Sequence, residues 1–427
     1  GSYRVIREVH RGKIGVLYRV QDEHGHPWAL KVLHSFLIQN RISLEHELGG
    51  IVERLRGVAS PYLISPALAE YDGEEETFYV LYPWVERAIP LDAVLSQEGG
   101  RLPLDRVIGY VWRTLLVLRA IAPRLGMHGG LKLTNMILDG QGRFYLTDPG
   151  LAAAIYRTQP GVAPWDAIGS SDFIAPEIIE GREGGFPADL YALAAIAYRL
   201  LEGRPPFSYD DPARQRRAHI QESPPPLTRA GVPDSLQRWL VHGLAKDPRE
   251  RFSSPDTALE ELANILWERG WAIDFWLMMA RELMALGDLN LALEHIDRVL
   301  RTRPEHPEAC ILKSEIEAQL LPSQVAQALQ EAADFLQRGR TEAARERIQW
   351  VLERDPHNAE ARRLEAQLRT LPSRPPILVL RSRNGRIFSL DREGVLGRRG
   401  QKTPPPDVDV TDEDVGRYVS RRHARLW

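Results

Sequence analysis

The sequence predicts an α+β body, then α-helical hairpins, then a return to β structure. Three observations predict this order. Short β-rich segments crowd residues 4–85; apolar residues at helical spacing dominate as far as residue 370; β-type alternation returns after the Pro-rich break at 372–376. With 427 residues the chain exceeds one ordinary core, so roughly two to four domains are expected.

Residues 4–7, 16–20 and 28–33 read as strands, split by glycines and by a polar turn at 21–27. Ile42, Leu44, Leu48, Ile51 and Leu55 then mark one face of an amphipathic helix, and 78–85 is a β-rich run ending at Pro83-Trp84. Further on, the apolar run at 191–198 falls far short of the ~18 residues of a membrane span. No leader-like segment is read at the start, which opens without Met. Residues 271–286 and 289–303 form a helical hairpin around Gly287-Asp288. Residues 325–338 and 341–354 repeat it around Gly339, with a separate helix at 307–320 and a break at Pro322-Ser323. Residues 377–380 and 386–390 are strands joined by Asn384-Gly385, a hairpin signal.

A net charge of −3 argues against bulk nucleic-acid binding, but the charge is unevenly spread. Residues 374–427 carry 12 Lys and Arg against 7 Asp and Glu, a basic tail on an acidic body that suits an anionic partner. Cys310 is the lone cysteine, so no disulfide framework forms; a reducing, cytoplasmic compartment is expected.

The stretch 127–150, MHGGLKLTNMILDGQGRFYLTDPG, carries the chemistry. It resembles the catalytic segment of protein kinases, and other motifs follow in family order. Val9-His10-Arg11-Gly12-Lys13-Ile14-Gly15 resembles the glycine-rich loop, with His10 at the first glycine position. Trp28-Ala29-Leu30-Lys31 resembles the strand that presents the phosphate-pairing lysine. Ala175-Pro176-Glu177, Asp189 with Glu202-Gly203-Arg204-Pro205-Pro206-Phe207, and Lys246-Asp247-Pro248 with Arg251 resemble the C-lobe of bacterial eukaryotic-like Ser/Thr kinases. This resemblance implies a bilobal protein-kinase-like domain over 1–270, with ATP and Mg²⁺ as cofactors. It implies Gly12, Gly15, Lys31, Lys132, Asn135 and Asp148 around the phosphates, with Asn135 and Asp148 as metal ligands. Glu47, with Glu45 as runner-up, would pair Lys31. Pro83 would offer its carbonyl and Val85 its N–H to adenine, with Tyr82 at the gatekeeper position. Arg251 would pair Glu177, and Asp189 would hold the catalytic-loop backbone.

Gly130 stands where the family has its catalytic aspartate, and Gly129 where it has arginine. Glycine cannot accept the acceptor hydroxyl's proton, and lost general-base help costs ~10²–10⁴ in rate. The expectation is therefore a non-enzyme: a catalytically impaired pseudokinase acting as a signalling scaffold. The alternative is an active Ser/Thr kinase with a substituted base.

The hairpins over 271–373 resemble tetratricopeptide repeats, through Trp276, Ala280, Gly287, Ala292 and Pro304 and then Ala332, Gly339, Ala344 and Pro356. They would serve as a peptide-binding groove or as a spacer. In 374–427, Gly397-Arg398 and Ser420-Arg421-Arg422-His423-Ala424 resemble the first half of a forkhead-associated domain, the start of a β-sandwich. That implies a phosphothreonine-containing partner held by Arg398, Ser420 and Arg421.

Overall fold

The computed structural model describes residues 3–159, 161–168 and 170–370, without the side chains of 166, 167 and 370, and the backbone of short strands between 378 and 426. Strands β1 (Arg4–Arg11), β2 (Gly15–Gln21), β3 (Pro27–Leu33), β4 (Leu68–Asp72) and β5 (Thr77–Pro83) form one antiparallel sheet ordered β1-β2-β3-β5-β4. Between β3 and β4 runs helix α1 (Arg41–Leu55), whose Asn40 cap accepts from Ser43 N. It buries Leu44, Leu48, Ile51 and Leu55, four of the five residues whose spacing predicts it; Ile42 lies exposed.

The second lobe opens with β6 (Ile89–Pro90), α2 (Leu91–Gln97) and the 22-residue α3 (Leu104–Leu125). Strand β6 pairs with the hairpin β7 (Met136–Leu138) and β8 (Phe144–Leu146), whose flanks carry the catalytic segment. Helices α4 (Leu151–Thr158), α5 (Pro164–Ile168) and α6 (Pro176–Ile179) lead to α7 (Phe186–Glu202). Almost all of α7 is buried, as its continuous apolar run requires. Helices α8 (Pro212–Gln221), α9 (Asp234–Gly243) and α10 (Pro255–Glu268) complete this lobe; Ser254 and Thr257 form a capping box on α10.

Helices α11 (Ala272–Ala285) and α12 (Leu289–Thr302) make the first predicted hairpin. They pack on α3. Trp112 Nε1 donates to His295 Nε2 at 3.0 Å, Arg113 makes a two-pronged bond to Glu282, and Arg119 reaches Glu294 at 3.2 Å. Gly1–Leu312 consequently forms one compact unit, which includes this hairpin, and Lys313–Trp427 a second.

Residues 307–337 depart from expectation. The predicted helix, break and helix are a single helix, α13 (Pro307–Gln337), running through Pro322. Proline removes one backbone bond at a cost of ~3 kcal/mol, yet the Ala, Leu, Gln and Glu residues around it favour helix throughout. Then come α14 (Thr341–Arg354) and α15 (Ala359–Thr370), whose Ala344, Ile348 and Leu364 pack against Ala332 and Leu336. Beyond them, β9 (Leu378–Arg381) pairs antiparallel with β10 (Ile387–Leu390). Strand β11 (Gly394–Gly397) pairs with β12 (Val408–Asp409) and β13 (Ala424–Leu426). Arg398, Ser420, Arg421 and His423 lie outside the described residues, so the expected sandwich and its phosphothreonine contacts rest on the sequence alone.

Candidate active site

The β1–β2 turn closes on itself, Gly12 N donating to Gly15 O at 2.9 Å. Gly15 is required there: a Cβ would lie 2.2 Å from the Val32 carbonyl oxygen of β3. Gly12 has more room, with the exposed His10 ring as its nearest neighbour at 3.4 Å.

Lys31, on β3, forms an ion pair with Asp148, and both are largely buried. Burial alone would raise the Asp148 carboxyl, but the Lys31 ammonium, then the charge of Lys132 and the nearby Tyr82 hydroxyl, hold it below its usual range. Asp148 also has φ of +63°, a left-handed backbone that a side chain adopts at some cost. Tyr82, buried on β5, lies close enough to Asp148 to influence its charge.

The catalytic segment is held by a buried hydrogen-bond framework. Asp189 accepts from His128 N at 2.6 Å and from Gly129 N at 2.8 Å. Asn135 Nδ2 donates to Gly130 O at 2.9 Å, and His128 Nε2 meets Thr147 O at 3.0 Å. Lys132 Nζ donates to Ile168 O at 2.6 Å, and burial, then the nearby Lys31, lowers its pKa to about 8. Arg251 clasps Glu177 at 2.7 and 2.8 Å, the pairing the resemblance implies.

Other residues are not joined as implied. Glu47 pairs with Arg54 at 3.0 Å instead of Lys31, and Glu45 is exposed. The physical reason is the helix that follows Asp148-Pro149-Gly150. Helix α4 buries Leu151 through Ile155 between α1 and the catalytic segment. A Cβ on Gly129 would stand 2.6 Å from Ala153 Cβ, one on Gly130 3.0 Å from Ala152 Cβ, and one on Gly150 2.9 Å from Ile51. The glycine pair that reads as a missing base therefore also admits α4. At its end the fully buried Gln159 accepts from Gln39 N and Asn40 N, both at 2.6 Å, and donates to Asn40 O at 3.0 Å. Gln159 ties α4 to the start of α1, a role without a sequence motif. Pro83 and Val85 line a separate cavity of about 650 Å³ with Leu63, Glu86 and Tyr145.

Asn135 and Asp148 are hard oxygen donors of the kind Mg²⁺ takes, so the pair fits such an ion. As they stand, Lys31 occupies the carboxylate. Among the described residues no group of three or more His, Cys, Asp or Glu forms a metal site, and no helix is long and apolar enough to cross a membrane.

Two lobes joined at β5, with a buried lysine–aspartate pair beside a loop pinned by Asp189, define a protein kinase architecture. The protein kinase domain family matches residues 3–265, and the chain belongs to it; tetratricopeptide repeats match 277–338 and 329–369. Relatives include serine/threonine-protein kinase PknD of Mycobacterium tuberculosis, 28% identical over 60% of this chain and 38% of its own length. PknA of the same organism is 29% identical over 62% and 61%, and Pkn1 of Myxococcus xanthus 30% over 60% and 37%. The chain thus spans between about a third and under two thirds of these relatives. The M. tuberculosis PknI kinase domain shares the fold at a TM-score of 0.50 and 23% identity, covering 63% of this chain and 96% of that one.

This kinship overturns the expectation of an impaired pseudokinase and non-enzyme. The relatives matched over the same residues are named serine/threonine-protein kinases. One glycine at the base position does not outweigh that, because positioning and charge stabilisation carry most of phosphoryl transfer.

Proposed function

We propose that this chain is an atypical Ser/Thr protein kinase whose proton acceptor lies elsewhere than position 130. The observation that carries this reading is the convergence of Lys31, Asp148, Lys132 and Asn135 around a loop anchored by Asp189. Bound ATP and Mg²⁺ would supply the transferable phosphoryl group and neutralise its charge. Lys31 and Lys132 would hold phosphate oxygens, and Asp148 and Asn135 the cation, once Lys31 leaves Asp148. The acceptor hydroxyl attacks phosphorus as the bond to the leaving ADP oxygen breaks.

For its proton we assign Asp172. This half-buried carboxylate accepts from Gln215 Nε2 at 3.5 Å, and burial raises its pKa against the opposing charges of Arg199 and Lys13, the direction a general base needs. Its neighbours Phe173 and Ile174 line one small cavity with Gly129 and Gly130. Radiolabelled phosphate transfer from ATP–Mg²⁺ to a Ser/Thr peptide tests the reading. Incorporation should occur and vanish in Asp148→Asn; equal counts in both would refute it.

The remaining assignments follow the sequence. We propose a division into a kinase domain (1–270), repeats (271–373) and a forkhead-associated half-module (374–427), in a reducing cytoplasmic compartment. The repeats would hold a protein partner. Arg398, Ser420 and Arg421 would hold a phosphothreonine, so a phosphothreonine peptide should bind the full chain and be lost in Arg421→Ala.

A further inference from the structure

A cavity of about 800 Å³ opens where the first turns of α3, the β7–β8 hairpin and the start of α11 meet. Leu138, Gly142 and Phe144 of the β7–β8 hairpin line it, but none of Lys31, Lys132, Asn135 and Asp148 does. Its walls are apolar and firm: Tyr110 and Phe144 stack with ring centroids 5.7 Å apart, and Phe275 packs edge-on against Trp112 at 5.4 Å. Ile108 and Leu266 complete the floor, while Met278, 43% exposed, forms an adaptable rim.

The polar groups around it are unequal. Arg106 is engaged by Glu98 at 2.6 Å, and Arg113 is held by Glu282. Arg269 lies over the face of Trp271 at 5.1 Å. Asp105 and Asp274, both exposed, carry no ion pair or side-chain hydrogen bond among the described residues. The mouth therefore presents two carboxylates without a cationic side-chain partner, each in the first turn of its helix, beside an apolar floor.

We propose that this groove docks a peptide segment of a protein partner, with apolar anchors on the floor and Lys or Arg flanking them against Asp105 and Asp274. Charge complementarity selects this occupant: an acidic or purely apolar segment would leave both carboxylates facing like charge or none. A cavity of this size takes a few side chains, not a whole helix face. The inference stands apart from the phosphotransfer reading, because none of Lys31, Lys132, Asn135, Asp148 and Asp172 lines this groove.

Fluorescence anisotropy on the full chain tests it with three short synthetic peptides sharing a Leu-Ala-Leu-Phe core, flanked by arginines, glutamines or glutamates. The arginine form should bind best and the glutamine form about threefold to tenfold more weakly, the range that two exposed ion pairs give. The glutamate form should be weakest. In D105K/D274K the order should reverse, and Met278→Glu should weaken all three while the thermal midpoint holds. Equal binding by the three peptides, no binding at high-micromolar protein, or an unreversed order in the charge-swapped variant would overturn the proposal.

Discussion

At the scale of single residues, Gly129 and Gly130 have two physical meanings. In the sequence they are a lost arginine and a lost aspartate; in the fold they are the space into which Ala152 and Ala153 pack. Gly129 also sits at φ +70°. Gly129→Ala should therefore destabilise the protein by about 1–3 kcal/mol, from the strained backbone and the clash with Ala153 together, read as a lower midpoint in denaturant unfolding. An unchanged midpoint would mean that α4 does not pack there in solution. Lys132, Asn135 and Asp148 could be picked out from the fixed spacing of the catalytic segment, and Lys31 from its strand motif, and the fold brings Lys31 onto Asp148. The influence of Tyr82 on Asp148 was not legible, since the two lie far apart in sequence and share no motif.

At the scale of elements, α1 and α4 were unequal to a reader of sequence. Helix α1 announced itself through apolar spacing. Helix α4, Leu151-Ala152-Ala153-Ala154-Ile155, is a short apolar run whose partners lie elsewhere in the chain. Its tie, Gln159, meets Gln39 across a sequence separation of 120 residues, a contact no periodicity encodes. Gln159→Ala leaves two backbone N–H groups of α1's approach unpaired. Amide hydrogen exchange in α4 and in residues 39–44 should then quicken by at least ~10-fold, since each lost buried bond costs ~1–3 kcal/mol. Exchange confined to wild-type rates would show that the tie is not what holds α4 down. Pro322 misled in the opposite direction, because a local breaker signal was overridden by the helix formers of α13.

At the scale of the whole molecule, the first repeat hairpin is bound into the catalytic body through Trp112 and His295. His295 is buried; burial, opposed by its bond to the Leu291 carbonyl, depresses its pKa to about 4. A histidine depressed in the folded state stabilises fully above its unfolded pKa near 6.5 and loses that contribution as pH falls towards 4. Lowering pH from 7 to 4.5 should therefore cost about 2–3 kcal/mol at this site. His295→Gln, scanned alongside, should show a shallower fall in thermal midpoint; parallel curves would exclude His295 as the cause. The order of lobes and repeats was legible from motifs, whereas this docking was not, for α3 and α12 each satisfy their own helical pattern.

The central claim, that a carboxylate outside position 130 readies the acceptor hydroxyl, is tested most directly by the initial rate of peptide phosphorylation in Asp172→Asn against wild type at saturating ATP–Mg²⁺. A fall of ~10²–10⁴ in kcat with little change in the KM for ATP is predicted. An undiminished kcat in Asp172→Asn would contradict it.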